Sequence, residues 1–334
     1  MNRVLMIGNF LAHKTGSVGP SERMIRSSLN KKVSFVVASN RVNVLLRLLD
    51  MISKATYYRY DIMHIDVYSG RAFIFARFVS RIGFLRSKQI ILNLHGGGLA
   101  EFHTNNEHLV SKVFHRADTI VSPSKGLIEF FLEKGFSCIY IPNTVDFDSF
   151  PFLTNYKNEF KILWVRAFAD IYNPKIPILV LQSLLKKFPK TTLTMIGPDK
   201  GELNNVKTLI SSLGLANRID LIGPVDNSKL SHYFHSSSVY INTTSFESFG
   251  IAVLEAAASG IPIVTNKVGE LPLIWSDKEV LFVTDNSVDG FSEKIEEIFI
   301  DKNVAMSLRI NAYRKSRNYN FENVSLKWQK LLYE

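Results

Sequence analysis

A single cysteine, Cys138, leaves this chain no internal disulfide, which fits a reducing, cytoplasmic compartment. Lying in an apolar stretch, that thiol reads as a buried structural residue of a strand and not as a nucleophile. No apolar run reaches the roughly 20 residues that a membrane-spanning helix requires. The opening Met1-Asn-Arg-Val-Leu-Met-Ile-Gly8 has one positive charge and a short apolar run followed by polar Gly16 and Ser17, so it reads as a first strand and not a secretory leader. No His/Asp cluster stands at metal-ligand spacing, so no metal site is expected. The aromatic-basic surface motifs of nucleic-acid binders are also missing, despite a formal net charge of +10. With 46% hydrophobic and 21% charged residues, the composition excludes disorder and fibrous repeats and is that of a soluble globular protein.

The 334 residues suffice for two domains of ordinary size. Charge is unevenly placed: residues 1 to 150 hold 19 Lys/Arg against 11 Asp/Glu, or +8, and the remainder hold 21 against 19, or +2. The first half therefore meets the more anionic partner. Short apolar runs at 3–8, 33–38, 61–67, 89–95, 118–122 and 138–141 are separated by helix-length segments, and a second series follows at 160–165, 192–196, 218–222, 238–242, 262–265 and 280–283. Such alternation predicts an α/β chain of two doubly wound parallel domains, each with its ligand site at the carboxyl ends of its strands. The linker is expected near 146–158.

The richest stretch is 239–274, read as strand, loop, helix, strand, loop. Glu247 falls in the loop after the first strand, and Glu255 inside a helix expected to begin near Phe249 and to stop at Gly260. At about 1.5 Å per residue the two carboxylates are roughly 12 Å apart and about 80° apart in azimuth, so both can face one elongated ligand. Between them the backbone of Ser248, Phe249 and Gly250 offers N–H donors and a positive helix end to a phosphate. Each acid also has a plain structural reading, as a loop acid near a helix start and as an ordinary helix residue. Glu255 resists that reading, because Val253, Leu254, Ala256, Ala257 and Ala258 around it are apolar.

Two glutamates with seven residues between them, an Ala-rich helix and Gly260-Ile-Pro-Ile-Val264 resemble the family 4 retaining glycosyltransferases. The resemblance implies a GT-B fold, with an acceptor-side Rossmann-like domain over 1–150, a donor-binding one over 151–316 and a C-terminal helix over 317–334 crossing back to the first. It implies that Glu247 contacts the donor sugar, that Glu255 binds the ribose hydroxyls, and that the amides between them, with Ser248, Phe249 and Gly250, hold the diphosphate. Two departures stand out: Thr243-Thr244-Ser245 where the family has Pro-Ser, and Gly269-Glu270 where it has Gly-Gly.

Other segments fit the same pattern. The loop Gly16-Ser-Val-Gly-Pro-Ser21, with Gly16, Ser17 and Gly19, can bring amides near a phosphate or serve as a plain connection; the family places a glycine-containing loop there, against donor diphosphate and acceptor. Ile90-Ile-Leu-Asn-Leu-His-Gly-Gly-Gly98 ends a strand with an imidazole, and the resemblance gives His95 a place near the transferred sugar, with Glu101 and His103 as weaker acceptor-side candidates. Ile141-Pro-Asn-Thr-Val-Asp146 matches a family marker segment in which Asn143 and Asp146 organise the interdomain turn. After the strand Lys161–Val165, Arg166 matches the arginine that pairs with donor phosphates, and Lys175 is the nearest companion lysine. Gly197 and Gly223, in the turns Ile-Gly-Pro, match turns that hold the nucleotide base. Residues 41–60 and 71–88 read as two basic, apolar helices. In the second, Ile74, Phe75, Phe78, Val79 and Ile82 share a face beside Arg77, Arg81 and Lys88, which suits either sheet packing or an anionic lipid surface. Phe321, Val324, Trp328, Leu331 and Leu332 stand at helical spacing near the C-terminus.

The expected function is therefore transfer of a sugar, with retention and without a metal, from a UDP- or GDP-type donor to a glycan or lipid-linked acceptor. Surface polysaccharide or glycoconjugate synthesis is the expected setting, in the cytoplasm or on the inner face of the membrane. The nucleotide diphosphate sugar is a co-substrate, and no cofactor is expected. Rival readings are a nucleotide-sugar epimerase of the same fold, a two-carboxylate glycosidase, which needs its acids roughly 5 to 10 Å apart, and a basic nucleic-acid- or membrane-binding protein.

Overall fold

The computed structural model describes residues 2–10, 21 and 33–333, so Gly16, Ser17 and Gly19 lie outside the described residues. Within these, the chain divides into two compact units, 1–144 with 321–334, and 145–320.

The first unit is built on a sheet of β1 (Arg3–Ile7), β2 (Ser34–Ala38), β3 (Ile62–Val67), β4 (Gln89–Leu94), β5 (Thr119–Ser122) and β6 (Ile139–Tyr140), in the order β2-β1-β3-β4-β5-β6. The second is built on β7 (Lys161–Val165), β8 (Thr192–Ile196), β9 (Ile219–Gly223), β10 (Val239–Asn242), β11 (Ile263–Asn266) and β12 (Leu281–Val283), in the order β12-β11-β10-β7-β8-β9. All neighbouring strands pair in parallel. Helices cover both faces of such a sheet, which is why its strands read as unbroken apolar runs: all six residues of β3 and all four of β10 are buried. The expectation of two doubly wound parallel sheets is met. Strand order reverses between β1 and β3 and between β7 and β10, and these switch points are where such sheets open a crevice.

The join between the units lies at Thr144/Val145 and Asn320/Phe321, not at 150 and 316. Val145 and Phe150 are buried in the second unit's core, and the Tyr319 ring meets Phe249 there. The helix Phe321–Tyr333 belongs to the first unit, where Val324, Trp328 and Leu332 cover Val4, Met6, Ile62 and Ile91. Cys138 sits one residue ahead of β6, and burial pushes its thiol up to about 11, so it stays protonated.

Two helices differ from their sequence reading. The helix Val44–Tyr57 turns Arg47 and Met51 inward and leaves Leu45 71%, Leu46 55% and Leu49 61% exposed. Arg47 is held by the Arg41 carbonyl at 2.8 Å and the Asn9 amide oxygen at 2.8 Å. In Phe73–Leu85 the apolar face is split: Phe75 and Val79 are core, whereas Ile74 and Phe78 are exposed. Lys88 leaves the expected basic cluster, because its ammonium lies 5.7 Å from the Tyr60 ring centroid. No helix among the described residues is long and apolar enough to cross a membrane.

His64, on β3, is fully buried edge-on to Trp328, with ring centroids 5.3 Å apart, and neither ring nitrogen has a hydrogen-bond partner among the described residues. Burial, only partly opposed by Asp66, lowers its pKa from 6.5 to about 4. As pH falls through that window the unfolded chain takes up a proton that the folded chain refuses, so stability falls with pH, by about 3 kcal/mol in all. Denaturant titrations between pH 7 and pH 4 should show this loss in the wild type and a loss smaller by about that amount in His64→Leu. Parallel pH profiles for the two proteins would remove His64 as the cause.

Candidate functional site

In the second unit, β7 ends at Val165 and Arg166 follows it, beside the end of β10 at the switch point. The Arg166 guanidinium donates to the Asn242 amide oxygen at 3.1 Å and, from Nη2, to the Glu247 carboxylate in a short contact. Its charged carbon lies 5.3 Å from the Tyr172 ring centroid. Asn242 is itself fixed by donating to the Thr265 hydroxyl at 2.9 Å, so the arginine's partner cannot turn away. The side chains of Arg166 and Glu247 are only 12% and 10% exposed. Burial alone would lower the Arg166 pKa, but the adjacent Glu247 carboxylate, together with Tyr240 and Tyr172, outweighs it and holds the guanidinium above its ordinary value.

Arg166 can reach this position because residue 197 has no Cβ. A Cβ on Gly197, whose φ is +152°, would stand 1.8 Å from the Arg166 carbonyl oxygen. Here β7 and β8 close together, with Arg166 N–H donating to the Ile196 carbonyl at 3.0 Å.

The loop after β10 carries Glu247, and the helix Ile251–Ser259 carries Glu255. The helix starts two residues later than expected, because Gly250, at φ +88°, is its N-cap in the left-handed region. The amides of Ser248 and Phe249 are aimed at the Glu247 carboxylate, with Oε1 at 3.2 Å and 3.5 Å. Glu247 thus gathers a guanidinium and two amides onto one carboxylate, and its backbone carbonyl accepts from Glu270 N–H at 3.0 Å. Glu255 is buried, as its apolar neighbours required. Both acids act on buried Tyr240, whose hydroxyl pKa is raised first by burial and further by Glu247 and Glu255.

Lys175 does not join this group: it is exposed and lies 3.6 Å from Glu202. Gly223 ends β9, and its carbonyl accepts from Gly197 N–H at 2.9 Å. Asp146 serves a turn, accepting from Asp148 N–H at 3.0 Å and the Ser149 hydroxyl at 2.7 Å. The chain's Asp-x-Asp, Asp146-Phe147-Asp148, is therefore occupied in chain reversal at its first acid. Among the described residues no group of three His, Cys, Asp or Glu could hold a metal ion.

In the first unit, His95 follows β4 and its N–H donates to the Val67 carbonyl at 2.8 Å, continuing the strand. Its Nε2 stands 2.8 Å from Asp66 Oδ1, and its ring stacks on Tyr68 at 5.1 Å between centroids. Asp66 also accepts from the Ser21 hydroxyl at 2.5 Å and the Asn93 amide at 3.5 Å. Burial would raise the Asp66 carboxyl, but His95, His64 and Ser21 hold it below the ordinary range. An ionised Asp66 makes Nε2 the protonated nitrogen, which leaves the Nδ1 lone pair able to accept a proton. A Cβ on Gly8 would lie 2.3 Å from Asp66 Oδ2, so the end of β1 makes room for this acid. Sequence reading missed Asp66; its signal was one acid inside the apolar run Ile62-Met-His-Ile-Asp-Val67. His103 is not a site residue: it is buried between the rings of Phe130 and Phe131, at 5.7 and 5.5 Å. Glu101 is exposed in the first turn of Leu99–Asn105.

A family model described as glycosyl transferases group 1 matches residues 146–315, just over half of the chain. The chain belongs to that family. The matched span contains Arg166, Glu247 and Glu255. D-inositol 3-phosphate glycosyltransferase of Mycobacteroides abscessus is 26% identical over 149 residues, which are 43% of this chain and 33% of that protein. The chain thus spans about a third of the length of such curated relatives. Among solved structures, sucrose-phosphate synthase from Thermosynechococcus elongatus superposes with a TM-score of 0.81 at 16% identity, covering 99% of this chain and 98% of that one. Anabaena HepE, solved with UDP and glucose, gives 0.78 at 16% identity, covering 99% of each. The fold is accordingly that of the GT-B glycosyltransferases.

Because Gly197 faces the Arg166 backbone, Gly197→Ala should destabilise the protein by about 1 to 3 kcal/mol, the range for inserted groups that force a backbone shift. Urea unfolding monitored by tryptophan fluorescence measures this, through Trp164 on the adjoining strand; an unchanged midpoint would show that the close approach is not required.

Proposed function

We propose that the second unit binds a nucleotide diphosphate sugar of the UDP or GDP type. The chain then transfers the sugar, with retention at the anomeric carbon, to a glycan or lipid-linked acceptor in polysaccharide or glycoconjugate synthesis. The observation that carries this reading is the convergence of Arg166 and the Ser248 and Phe249 amides on one carboxylate at the β7/β10 switch point. A diphosphate offers these donors the same fork and nest that Glu247 now occupies, with more charge. Once displaced, Glu247 is free to meet sugar hydroxyls, while buried Glu255 suits the two ribose hydroxyls. Anabaena HepE, which shares the fold, was also solved with UDP-glucose, and this supports the donor class. The leaving diphosphate is stabilised by a guanidinium and amides already in place, without a metal. Lys175 adds a second cation to this reading only by leaving Glu202.

The first unit's part in this reading is the acceptor side, with His95 meeting a hydroxyl group and Asp66 fixing its tautomer. That pair also favours a second reading, in which His95 is a general base and the sugar inverts. Proton NMR of the product separates the two: an α-linked donor should give an α-linked product, and a β-linked product sinks retention. With UDP- and GDP-sugars as the panel, Glu255→Gln should raise the donor Kd about tenfold, the worth of one lost hydrogen bond to a charged group. Glu247→Ala should lower kcat by about 100-fold or more. Chelator should leave turnover unchanged, and restoration by Mg²⁺ after chelation would count against the metal-free mechanism.

We also place the chain on the anionic inner face of the membrane. The inverted helix Val44–Tyr57 supports this, since it buries Arg47 and exposes Leu45, Leu46 and Leu49, in a half of the chain carrying +8. Sedimentation with anionic vesicles should fall at least fivefold in Leu45→Ser/Leu49→Ser and should weaken with salt. Equal sedimentation with neutral and anionic vesicles would decide for a soluble enzyme.

A further inference from the structure

A second basic group in the first unit is not used by the site above. The helices Phe73–Leu85 and Glu107–Phe114, with Arg116 just beyond, line a cavity of about 420 Å³. Arg77 and Arg81 stand one turn apart on one wall, and Lys112 and Arg116 at the same spacing on the other. Within the helix Phe73–Leu85, like charges at the Arg77/Arg81 spacing are destabilising unless something neutralises them. Among the described residues no carboxylate lines the cavity, and Arg77, Arg81 and Lys112 form no ion pair.

Arg116 is held in place rather than neutralised. One nitrogen of its fork donates to the Arg77 carbonyl at 3.1 Å and to the Ser80 hydroxyl at 3.1 Å. The guanidinium pKa is lowered, first by burial and then by the charges of Arg81 and Arg77, so these cations act on one another. Phe78 and Leu109 supply apolar lining, and Phe78 is 42% exposed. The cavity lies within the size range of small-molecule sites and is larger than a phosphate alone requires. It is also remote from His95 along the sheet: Arg116 lies in the turn into the start of β5, whereas His95 follows the opposite end of β4.

We propose that this pocket binds a phosphoester joined to an apolar group, its phosphate taken by Arg77, Arg81, Lys112 and Arg116 and its apolar part packed on Phe78 and Leu109. Guanidinium forks match phosphate oxygens in pairs, and a bare hydrated ion gains nothing from the aromatic wall. The phosphoester is either a phospholipid headgroup or a soluble molecule, and the pocket chemistry is the same for both. The proposal does not depend on glycosyl transfer.

The test is calorimetric titration of the full chain at low salt with inorganic phosphate and with hexyl phosphate below its micelle concentration. It is paired with sedimentation on phosphatidylcholine vesicles with and without phosphatidic acid. Hexyl phosphate should bind at least tenfold more tightly than inorganic phosphate. Arg77→Gln/Lys112→Gln, which alters two exposed side chains, should weaken it at least tenfold while leaving UDP binding within twofold. If the variant also loses phosphatidic acid vesicles, the ligand is a lipid headgroup; if wild type and variant sediment alike, it is a soluble phosphoester. Absence of hexyl phosphate binding, equal affinity for inorganic phosphate, or wild-type affinity in the double variant overturns the proposal. Intact UDP binding alongside any of these leaves the transfer reading standing.

Discussion

Two opposite charges nearly out of water, Arg166 and Glu247, set the terms for the second unit. Removing either partner of such a pair leaves an uncompensated charge that costs about 3 to 5 kcal/mol, so the surroundings have to hold both in register. Asn242 fixes one face of the guanidinium, Thr265 fixes Asn242, and the Tyr172 ring covers the arginine. The amides of Ser248 and Phe249 complete the carboxylate's shell. Local order in five segments thus follows from one electrostatic requirement. The same atoms, two amides and a fork around an anion, make the place receptive to phosphate.

The first unit meets a similar requirement with different residues. Asp66 is a buried acid whose charge is shared among His95, Ser21 and Asn93, and its carboxyl is held low by them. In both units the charged residue stands at a switch point beside a glycine just past the end of an adjoining strand, Gly8 for Asp66 and Gly197 for Arg166. Neighbouring parallel strands lie about 4.8 Å apart. A Cβ at Gly8 would meet the Asp66 carboxylate itself, and one at Gly197 the backbone that carries Arg166.

The strand series was legible because parallel strands buried on both faces must be apolar throughout, and such runs stand out between helix-length segments. The glutamate pair was legible for a related reason: an acid among alanines and valines has no solvated face, and Glu255 is indeed buried. Asp66 was not, since one carboxylate in an apolar run shows its purpose only when His95 and Gly8, distant in sequence, arrive beside it. His103 misled because a histidine near a glycine-rich strand end looks the same in sequence whether it meets solvent or two phenylalanine rings. Spacing placed Lys175 along the chain but could not give the direction of its long side chain, which here lies toward Glu202. Phe75 and Phe78 share an apolar character, and only packing shows that one is core and the other lines an open pocket.

The helix Phe321–Tyr333 gives the chain a timetable. Val4, Met6, Ile62 and Ile91 belong to the first unit, yet the side chains that cover them, Val324, Trp328 and Leu332, are made only after residues 145–320. At about 5 to 20 residues per second, a ribosome needs roughly 10 to 35 s to add those intervening residues. For that interval the apolar floor of the first sheet stands open, although its strands are complete. The unit that is begun first therefore cannot close this part of its core until the helix Phe321–Tyr333 has been made.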